Sequence, residues 1–160
     1  MLNFLIDNNK RMNMRSQQVG KVLNLYTSVQ ESSQRVPQNK LILDTNGVIG
    51  DKFYGKDIQR SVLLTSEKSY DLALSHDIIM DRGALGENIL IDYNPYHLNF
   101  GQRLQIGKAL VEITQNCTLC NHLSAIDKKL PKLLKNDRGI FIKVVQEGEI
   151  QEGDTVFLLR

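Results

Sequence analysis

The stretch Arg103-Leu-Gln-Ile-Gly-Lys-Ala-Leu-Val-Glu-Ile-Thr114 contains two short strand-like runs separated by a Gly-Lys pair. Residues 103–106 and 109–114 form the runs. Gly107 stands at the first central position of the turn between them, which is where one of the two common hairpin turns requires glycine. We therefore predict a β-hairpin over this stretch.

Similar strand-like runs recur on both sides of the hairpin. We predict further strands at Val22–Tyr26, Lys40–Leu43, Arg60–Thr65, Glu87–Tyr93, Ile140–Val145 and Thr155–Leu159. The second of these ends near Asn46-Gly47, a strong hairpin signal. Because about seven short strands follow one another without regular helix alternation, we predict a mostly β fold, a barrel or a sandwich.

A few short peripheral helices complete this prediction. Ser66 is a typical N-cap, and the spacing after it predicts a helix over residues 67–75. Apolar residues at helical spacing predict a second helix over 119–126, and Pro131 lies in the first turn of a third helix near 130–134. Both later helices should lie on the surface of a sheet.

The charge balance excludes one class of partner. The chain has 160 residues with 20 basic and 18 acidic side chains, for a net charge of +2. That excess lies in residues 1–17, which we interpret as a leader or flexible arm, while residues 18–160 are neutral and predict a single domain. Nucleic-acid binders that neutralise phosphates usually carry a stronger basic excess. We therefore expect no nucleic-acid partner, and any anion site should be local.

The distribution of apolar residues and cysteines predicts a cytoplasmic protein. The leading apolar run, Leu2–Ile6, is short, is interrupted by Asn3 and precedes the basic residues, unlike a secretory signal. No stretch approaches the roughly 18 apolar residues that a membrane-spanning helix needs. Two cysteines fit a reducing compartment.

Cys117 and Cys120 form a C-x-x-C motif, which is compatible with half of a zinc site, a redox dithiol, or a persulfide or metal-ligating pair. The zinc interpretation is weak, because there is no second C-x-x-C and His122 follows Cys120 too closely. Cys120 is expected in a first helical turn, where backbone N–H groups favour the thiolate. It is then a candidate nucleophile or soft-metal ligand. The alternative is that both cysteines are small buried hydrophobic residues.

Two glycine-rich segments carry candidate binding residues. In Gly83-Ala-Leu-Gly-Glu-Asn88, two glycines allow a ligand to approach, and Glu87 and Asn88 can bind a polar group. In the segment 47–56 and the following run, Lys52 and Arg60 suit an anion such as phosphate, and Asp51 can orient them. The alternatives are an ordinary turn and a solvated loop.

Taken in order, these elements resemble one family. They are Gly20-Lys21-Val22, Gly50-Asp51-Lys52, Arg60-Ser-Val-Leu-Leu64, Gly83-Ala-Leu-Gly-Glu-Asn88, Leu104-Gln-Ile-Gly107, Cys120, and Gly148 with Gly153-Asp154. Their order and spacing over residues 20–160 are similar to those of the MOSC domains, the molybdenum cofactor sulfurase C-terminal domains. The resemblance implies a β-barrel-like fold, similar to the β-barrel domain of pyruvate kinase, with a reactive cysteine.

The resemblance also implies roles for individual residues. Cys120 takes the position of the cysteine that ligates the metal of the molybdenum cofactor (molybdopterin). Lys52 and Arg60 become candidates for holding its anionic end, and Asp51, Glu87 and Asn88 for polar contacts. The chain departs from the family pattern at three positions. Cys117 and Leu119 stand where Arg and Pro are frequent, and Phe53 stands where His is frequent. A disulfide or persulfide relay between Cys117 and Cys120 becomes possible.

Three functions follow from these expectations. The first is reduction of N-hydroxylated bases or related N-oxygenated small molecules, with Cys120 on the metal and electrons from a donor protein. The second is a sulfur carrier or transferase, with a persulfide on Cys120 supplied by a partner cysteine desulfurase that uses pyridoxal phosphate. The third is a non-catalytic binding module, suggested by the missing Arg and Pro.

Overall fold

A computed structural model describes residues 16–118 and 121–160 of the chain, and strands dominate them. The strands are β1 (Ser16–Ser28), β2 (Arg35–Gln38), β3 (Lys40–Asp44), β4 (Gly47–Val48), β5 (Val62–Ser66), β6 (Ile89–Ile91), β7 (Arg103–Ile106), β8 (Ala109–Asn116), β9 (Ile140–Gln146), β10 (Gly148–Gln151) and β11 (Thr155–Leu159). The helices in these residues are α1 (Glu67–Leu74), α2 (Asn121–Ile126), α3 (Leu130–Leu133) and a 3-10 helix, Ile58–Arg60. The mostly β prediction is confirmed.

Seven of the described strands close into a barrel. Their order is β11-β7-β8-β9-β5-β6-β1, and pairing of β1 with β11 closes the ring. Neighbouring strands are antiparallel except for β5 and β6, which run parallel. Strand β2 pairs with the end of β1, and a small sheet, β10-β3-β4, contributes Leu41, Leu43 and Ile150 to the same hydrophobic core. The barrel therefore has one continuous interior.

The predicted hairpin is confirmed as β7 and β8. Ile106 pairs with Ala109, and Gly107 between the strands has φ +56°. Alternate side chains of both strands point inward and are fully buried, so period-two alternation directs one face of the hairpin into the core. The other predicted strands are present, Thr155–Leu159 with the predicted bounds and the rest with shifted ends. Strand β1 begins at Ser16, so it includes the last two residues assigned to the leader, and residues 1–15 lie outside the described part.

The predicted helix after Ser66 is confirmed as α1. The Ser66 hydroxyl accepts a hydrogen bond from the N–H of Lys68 at 3.1 Å, as an N-cap does. Helix α1 and the two later helices share a second hydrophobic cluster, which is separate from the barrel core and is built from Ala73, Ile78, Leu85, Leu123, Leu130 and Leu134. None of the described helices is long and apolar enough to cross a membrane.

The prediction that a strand begins at Arg60 was wrong. Arg60 ends the 3-10 helix, and strand β5 starts at Val62. The Asp57 side chain accepts a hydrogen bond from the N–H of Gln59 and starts a helical turn. The strand-like residues that follow led the prediction to begin the strand too early. Strands β2, β4 and β10 were not predicted: β2 contains Pro37, β4 has two residues, and β10 lies in the glycine-containing connection 146–154.

Candidate functional site

A cavity of about 700 Å³ is lined in part by Leu63 of β5 and Phe141 of β9, which belong to a cluster outside the barrel core. Five of the described residues that line it are basic, namely Arg35, Lys52, Lys56, Arg60 and Arg138, and one, Asp57, is acidic. We call this cavity the cationic pocket. In a chain whose residues 18–160 are neutral, this local excess of positive charge favours an anionic ligand.

The pocket brings together several residues predicted from sequence. Lys52, Arg60, Asn88 and Cys117 line it. Asp51 and Glu87 are buried next to lining residues, at 5% and 0% exposure. Cys120 lies outside the described residues, so its role stays a prediction, but its described neighbours Thr118 and His122 both line the pocket.

Asp51 organises one side of the pocket. Its Oδ1 accepts hydrogen bonds from the N–H and hydroxyl of Ser28, at 2.6 and 2.7 Å, and from Nδ2 of Asn88 at 3.2 Å. Its Oδ2 accepts the N–H of Phe53 at 3.1 Å. Nη1 of Arg35 lies 4.0 Å from Oδ1, which is close enough for charge attraction but too far for a hydrogen bond. None of these contacts involves the side chain of Lys52 or Arg60, so the orienting role of Asp51 toward them stays a prediction.

The Asn88 side chain joins three segments around the pocket. Its Nδ2 donates to the carbonyl of Tyr26 at 3.2 Å and to Asp51, while Oδ1 accepts the N–H of Leu63 at 3.1 Å. Both amide hydrogens are therefore used within the protein. These contacts tie the end of β1 to β5 and to the loop that carries Lys52.

Glu87 precedes Asn88 in the turn formed by residues 83–88 and is buried. Its Oε2 accepts hydrogen bonds from the hydroxyls of Thr65 at 2.9 Å and Tyr70 at 2.5 Å, and Oε1 has no hydrogen-bond partner among the described residues. The Tyr70 oxygen in turn accepts the N–H of Gly83 at 3.0 Å. Burial, and next the Glu87 charge, raise the pKa of Tyr70 well above its usual value, so the phenol stays protonated and donates.

Arg35 is the cation in the described pocket lining that has a buried donor without a hydrogen-bond partner. Its side chain is 15% exposed, yet its guanidinium donates no hydrogen bond to any residue that the structure describes, and Nη1 is fully buried. Burial lowers the pKa of Arg35, although arginine stays charged in proteins. A half-buried guanidinium without acceptors is a strong site for an oxyanion, which supplies the missing ones.

Glycine at position 86 makes room for that guanidinium. Gly86 has φ +84°, and a Cβ added there would lie 3.1 Å from Nη2 of Arg35. Gly83 has φ +93°, and its added Cβ would lie 3.1 Å from the ring of Tyr26. The two glycines of the 83–88 turn thus serve close packing in the protein itself, in addition to any approach of a ligand.

Three of the pocket cations contact aromatic rings. Nζ of Lys52 lies 5.1 Å from the ring centroid of Phe53, and the guanidinium carbon of Arg35 lies 5.8 Å from the same ring. The Arg60 guanidinium lies 5.0 Å from the ring of Phe141. Rings of this kind attract cations without neutralising them, so the positive charge remains available to a ligand.

Cys117 and His122 line the pocket beside the undescribed pair 119–120. Cys117 is a free thiol, is 2% exposed and packs against Leu63 and Phe141. Nε2 of His122 lies 2.6 Å from the carbonyl of Ala84, so Nε2 carries the proton and donates it. Burial, and then the charge of Arg138, lower the pKa of His122, which favours the neutral ring.

Lys56 belongs to the predicted anion-binding segment 47–56, whereas Arg35, His122 and Arg138 were missed as pocket residues. Arg138 is buried, lines the pocket and donates from Nη1 to the carbonyl of Leu85 in the 83–88 turn at 2.8 Å. No local motif marks the missed residues, because only folding brings them to Lys52 and Arg60. No group of three or more potential metal-binding His, Cys, Asp or Glu side chains occurs in residues 16–118 and 121–160.

Comparisons with known proteins give a family and a fold. A family model described as the MOSC domain matches residues 44–157. No curated protein matches the chain. The YuaD protein from Bacillus subtilis is 17% identical with a TM-score of 0.79, covering 89% of this chain and 96% of that one. YiiM from Escherichia coli is 17% identical with a TM-score of 0.68, covering 90% and 71%. YiiM from Geobacillus stearothermophilus is 18% identical with a TM-score of 0.64, covering 91% and 75%. At these identities the likeness shows the fold.

Proposed function

The chain belongs to the MOSC domain family, which is associated with molybdenum cofactor binding, and from this premise we propose that its cationic pocket holds that cofactor. We further propose that the loaded protein reduces N-hydroxylated bases or related N-oxygenated small molecules. The observation that carries the proposal is Arg35, a half-buried guanidinium that lines the pocket and donates no hydrogen bond to the described residues.

The residues of the pocket fit a phosphate-bearing group. Arg35, Lys52 and Arg60 offer charged donors, and no ion pair joins Lys52, Lys56 or Arg60 to a carboxylate in the described part of the chain. Charged donors bind phosphate oxygens more strongly than neutral donors do. We assign Arg35, Lys52 and Arg60 to the phosphate end, and Asp51 and Asn88 to holding these cations in place.

The metal end would be held by Cys120. A thiolate is a soft ligand that suits a metal of this kind. When bound, the cofactor supplies a redox-active metal that exchanges two electrons with the substrate. The protein orients the substrate in the pocket, with the apolar side chains of Phe53, Leu63 and Phe141 available to a planar base.

The proposed reaction needs a source of electrons. Reduction of an N–OH group to N–H consumes two electrons and two protons, breaks the N–O bond and releases water. The sequence contains no flavin, nicotinamide or iron–sulfur motif. We therefore propose an electron-donor protein as the physiological partner.

Metal and pterin analysis tests the proposal. The protein is expressed in cells that make the molybdenum cofactor, purified without oxygen, and assayed for molybdenum, for pterin, and for reduction of an N-hydroxylated purine with reduced methyl viologen. We expect metal and activity in the wild type, and a loss of both in Cys120→Ala. Cys117→Ala is the matched control and should keep its metal. A wild type without molybdenum that also fails reconstitution would contradict the proposal.

A second candidate function is sulfur transfer, favoured by the thiol of Cys117 in the same pocket. A partner desulfurase, which holds the pyridoxal phosphate itself, would transfer sulfur to Cys120 as a persulfide. Mass spectrometry after incubation with such an enzyme and cysteine should show one added sulfur on Cys120. An unmodified Cys120, or sulfur on Cys117 alone, would eliminate this candidate. If Cys120→Ala leaves every cellular phenotype unchanged, the third function, a binding module, is favoured instead.

A further inference from the structure

Phe53 lies at the mouth of the cationic pocket and is 41% exposed. Among described residues its ring has two cationic neighbours, the ammonium of Lys52 at 5.1 Å and the guanidinium of Arg35 at 5.8 Å. A large apolar side chain left this exposed loses part of the free energy that burial would give it. The ring is therefore better explained by its contacts with the two cations than by core packing.

The backbone of Phe53 is fixed by the same carboxylate that attracts Arg35. Its N–H donates to Oδ2 of Asp51, while Arg35 lies 4.0 Å from Oδ1. The preceding residue is also held, because the N–H of Lys52 donates to the carbonyl of Ser28 at 3.0 Å. The backbone that carries the ring and Lys52 is therefore held by hydrogen bonds, and Arg35 lies within ion-pair distance of the same carboxylate.

Both cations keep unused hydrogen-bond donors. The Arg35 guanidinium donates none of its hydrogens to described residues, and Lys52 uses one of its three, on the carbonyl of Ser32 at 2.9 Å. Asp51 is the carboxylate within ion-pair distance of Arg35, and its oxygens are already occupied by Ser28, Asn88 and Phe53. The two cations therefore leave one positive charge and several donors for a ligand.

We propose that Phe53 is a positioning residue whose ring holds Arg35 and Lys52 together as a two-cation clamp for a phosphoryl group. This inference rests on the proposed function for the identity of the ligand, but not for the clamp itself. Two like charges brought together repel each other, and the negative face of the ring offsets part of that repulsion. Preorganising the cations before binding lowers the entropic cost of ordering two long side chains around the anion.

Titration with inorganic pyrophosphate tests the clamp without a cofactor or substrate. Calorimetry at low ionic strength compares the wild type with Phe53→Leu and Phe53→Met, which remove the ring, and with Phe53→Tyr, which keeps it. Losing two contacts of this kind should weaken binding by about 5- to 30-fold. Phe53→Tyr should stay within about threefold of the wild type, since the phenol ring also attracts cations. Phe100→Leu is the matched control, because Phe100 is 60% exposed and lies outside the pocket lining.

The outcomes separate the clamp from a general structural role. Thermal unfolding without pyrophosphate should show that all variants are folded at the temperature of the titration, so a loss of affinity in the ring-less variants with rescue by Phe53→Tyr supports the inference. Unchanged affinity in Phe53→Leu and Phe53→Met overturns it and leaves the ring a stacking surface for a planar ligand. A wild type that does not bind pyrophosphate also overturns it. The proposed function is judged separately, by molybdenum content.

Discussion

Gly86→Ala tests how the backbone next to Arg35 shapes the cationic pocket. Residue 86 has φ +84°, a conformation that costs a residue with a side chain about 1–2 kcal/mol. The new Cβ would also lie 3.1 Å from Nη2 of Arg35, so the guanidinium must shift by a few tenths of an ångström. We expect the variant to lose both stability and anion affinity.

Two other glycines isolate these effects. Gly101 has φ +91° and nothing within 4 Å of an added Cβ, so Gly101→Ala should lose only the backbone contribution of about 1–2 kcal/mol. In Gly83→Ala, with φ +93°, the added Cβ presses on the buried ring of Tyr26 instead of on Arg35. This variant should be the least stable of the three, because a packed ring cannot move aside as easily as an arginine end.

Only Gly86→Ala should impair anion binding strongly. A hydrogen bond to a charged group contributes about 1.5–3 kcal/mol, so displacing the Arg35 donors should weaken pyrophosphate binding by about 10- to 100-fold. Urea unfolding measures the free energy of unfolding, and calorimetric titration at a temperature where all three variants are folded measures affinity. The reasoning is refuted if Gly86→Ala binds pyrophosphate as tightly as Gly101→Ala, or if all three variants lose affinity equally.

Two further predictions concern groups away from the pocket mouth. Tyr70→Phe removes the donor to Glu87 and the acceptor of backbone N–H groups in the 83–88 turn. The free energy of unfolding in urea should therefore fall by about 2–4 kcal/mol. A fall of less than about 0.5 kcal/mol would contradict that hydrogen-bond network. The pKa of Glu112 is held below its usual value, first by its hydrogen bond with Lys143. The ionised Glu112 side chain therefore stabilises the folded protein at pH values above its pKa in the unfolded chain. This stabilisation is lost as the pH falls through the pKa of Glu112 in the folded protein. The stability advantage of the wild type over Glu112→Gln should therefore shrink as pH falls from about 6 to about 3, and an advantage that is constant with pH would exclude this linkage.

The elements that the sequence predicted correctly are those with local signals. The hairpin at Gly107 and the helix capped by Ser66 depend on residues within a few positions of each other, so turn and capping preferences identify them. Arg60 was wrongly predicted to lie in a strand because the local pattern around it is misleading. The apolar run after it is a real strand, while the 3-10 helix is started by the Asp57 side chain three positions earlier.

The pocket residues that the sequence predicted as anion contacts are basic residues close to glycines in the sequence. Lys52 and Arg60 were found because they lie in or beside a glycine-rich loop. Arg35 was missed because its neighbours in the fold, Asp51, Phe53 and Gly86, are 16 to 51 residues away in the sequence. Glu87 was found as a polar residue, but its contacts with Tyr70 and Thr65 require a helix and a strand to fold against the turn. Pairings of this kind depend on the closed barrel and leave no local pattern.

The central claim is that the pocket cations hold a phosphate-bearing cofactor, and the most direct test is the pterin and molybdenum content of Arg35→Gln. The matched control is Arg103→Gln, which alters an exposed arginine paired with Glu112 outside the pocket lining. All proteins are expressed in cells that make the cofactor and are purified without oxygen. The account expects similar occupancy in the wild type and Arg103→Gln, and at least about tenfold lower occupancy in Arg35→Gln. Equal occupancy in the two variants, or a wild type without pterin, would contradict it.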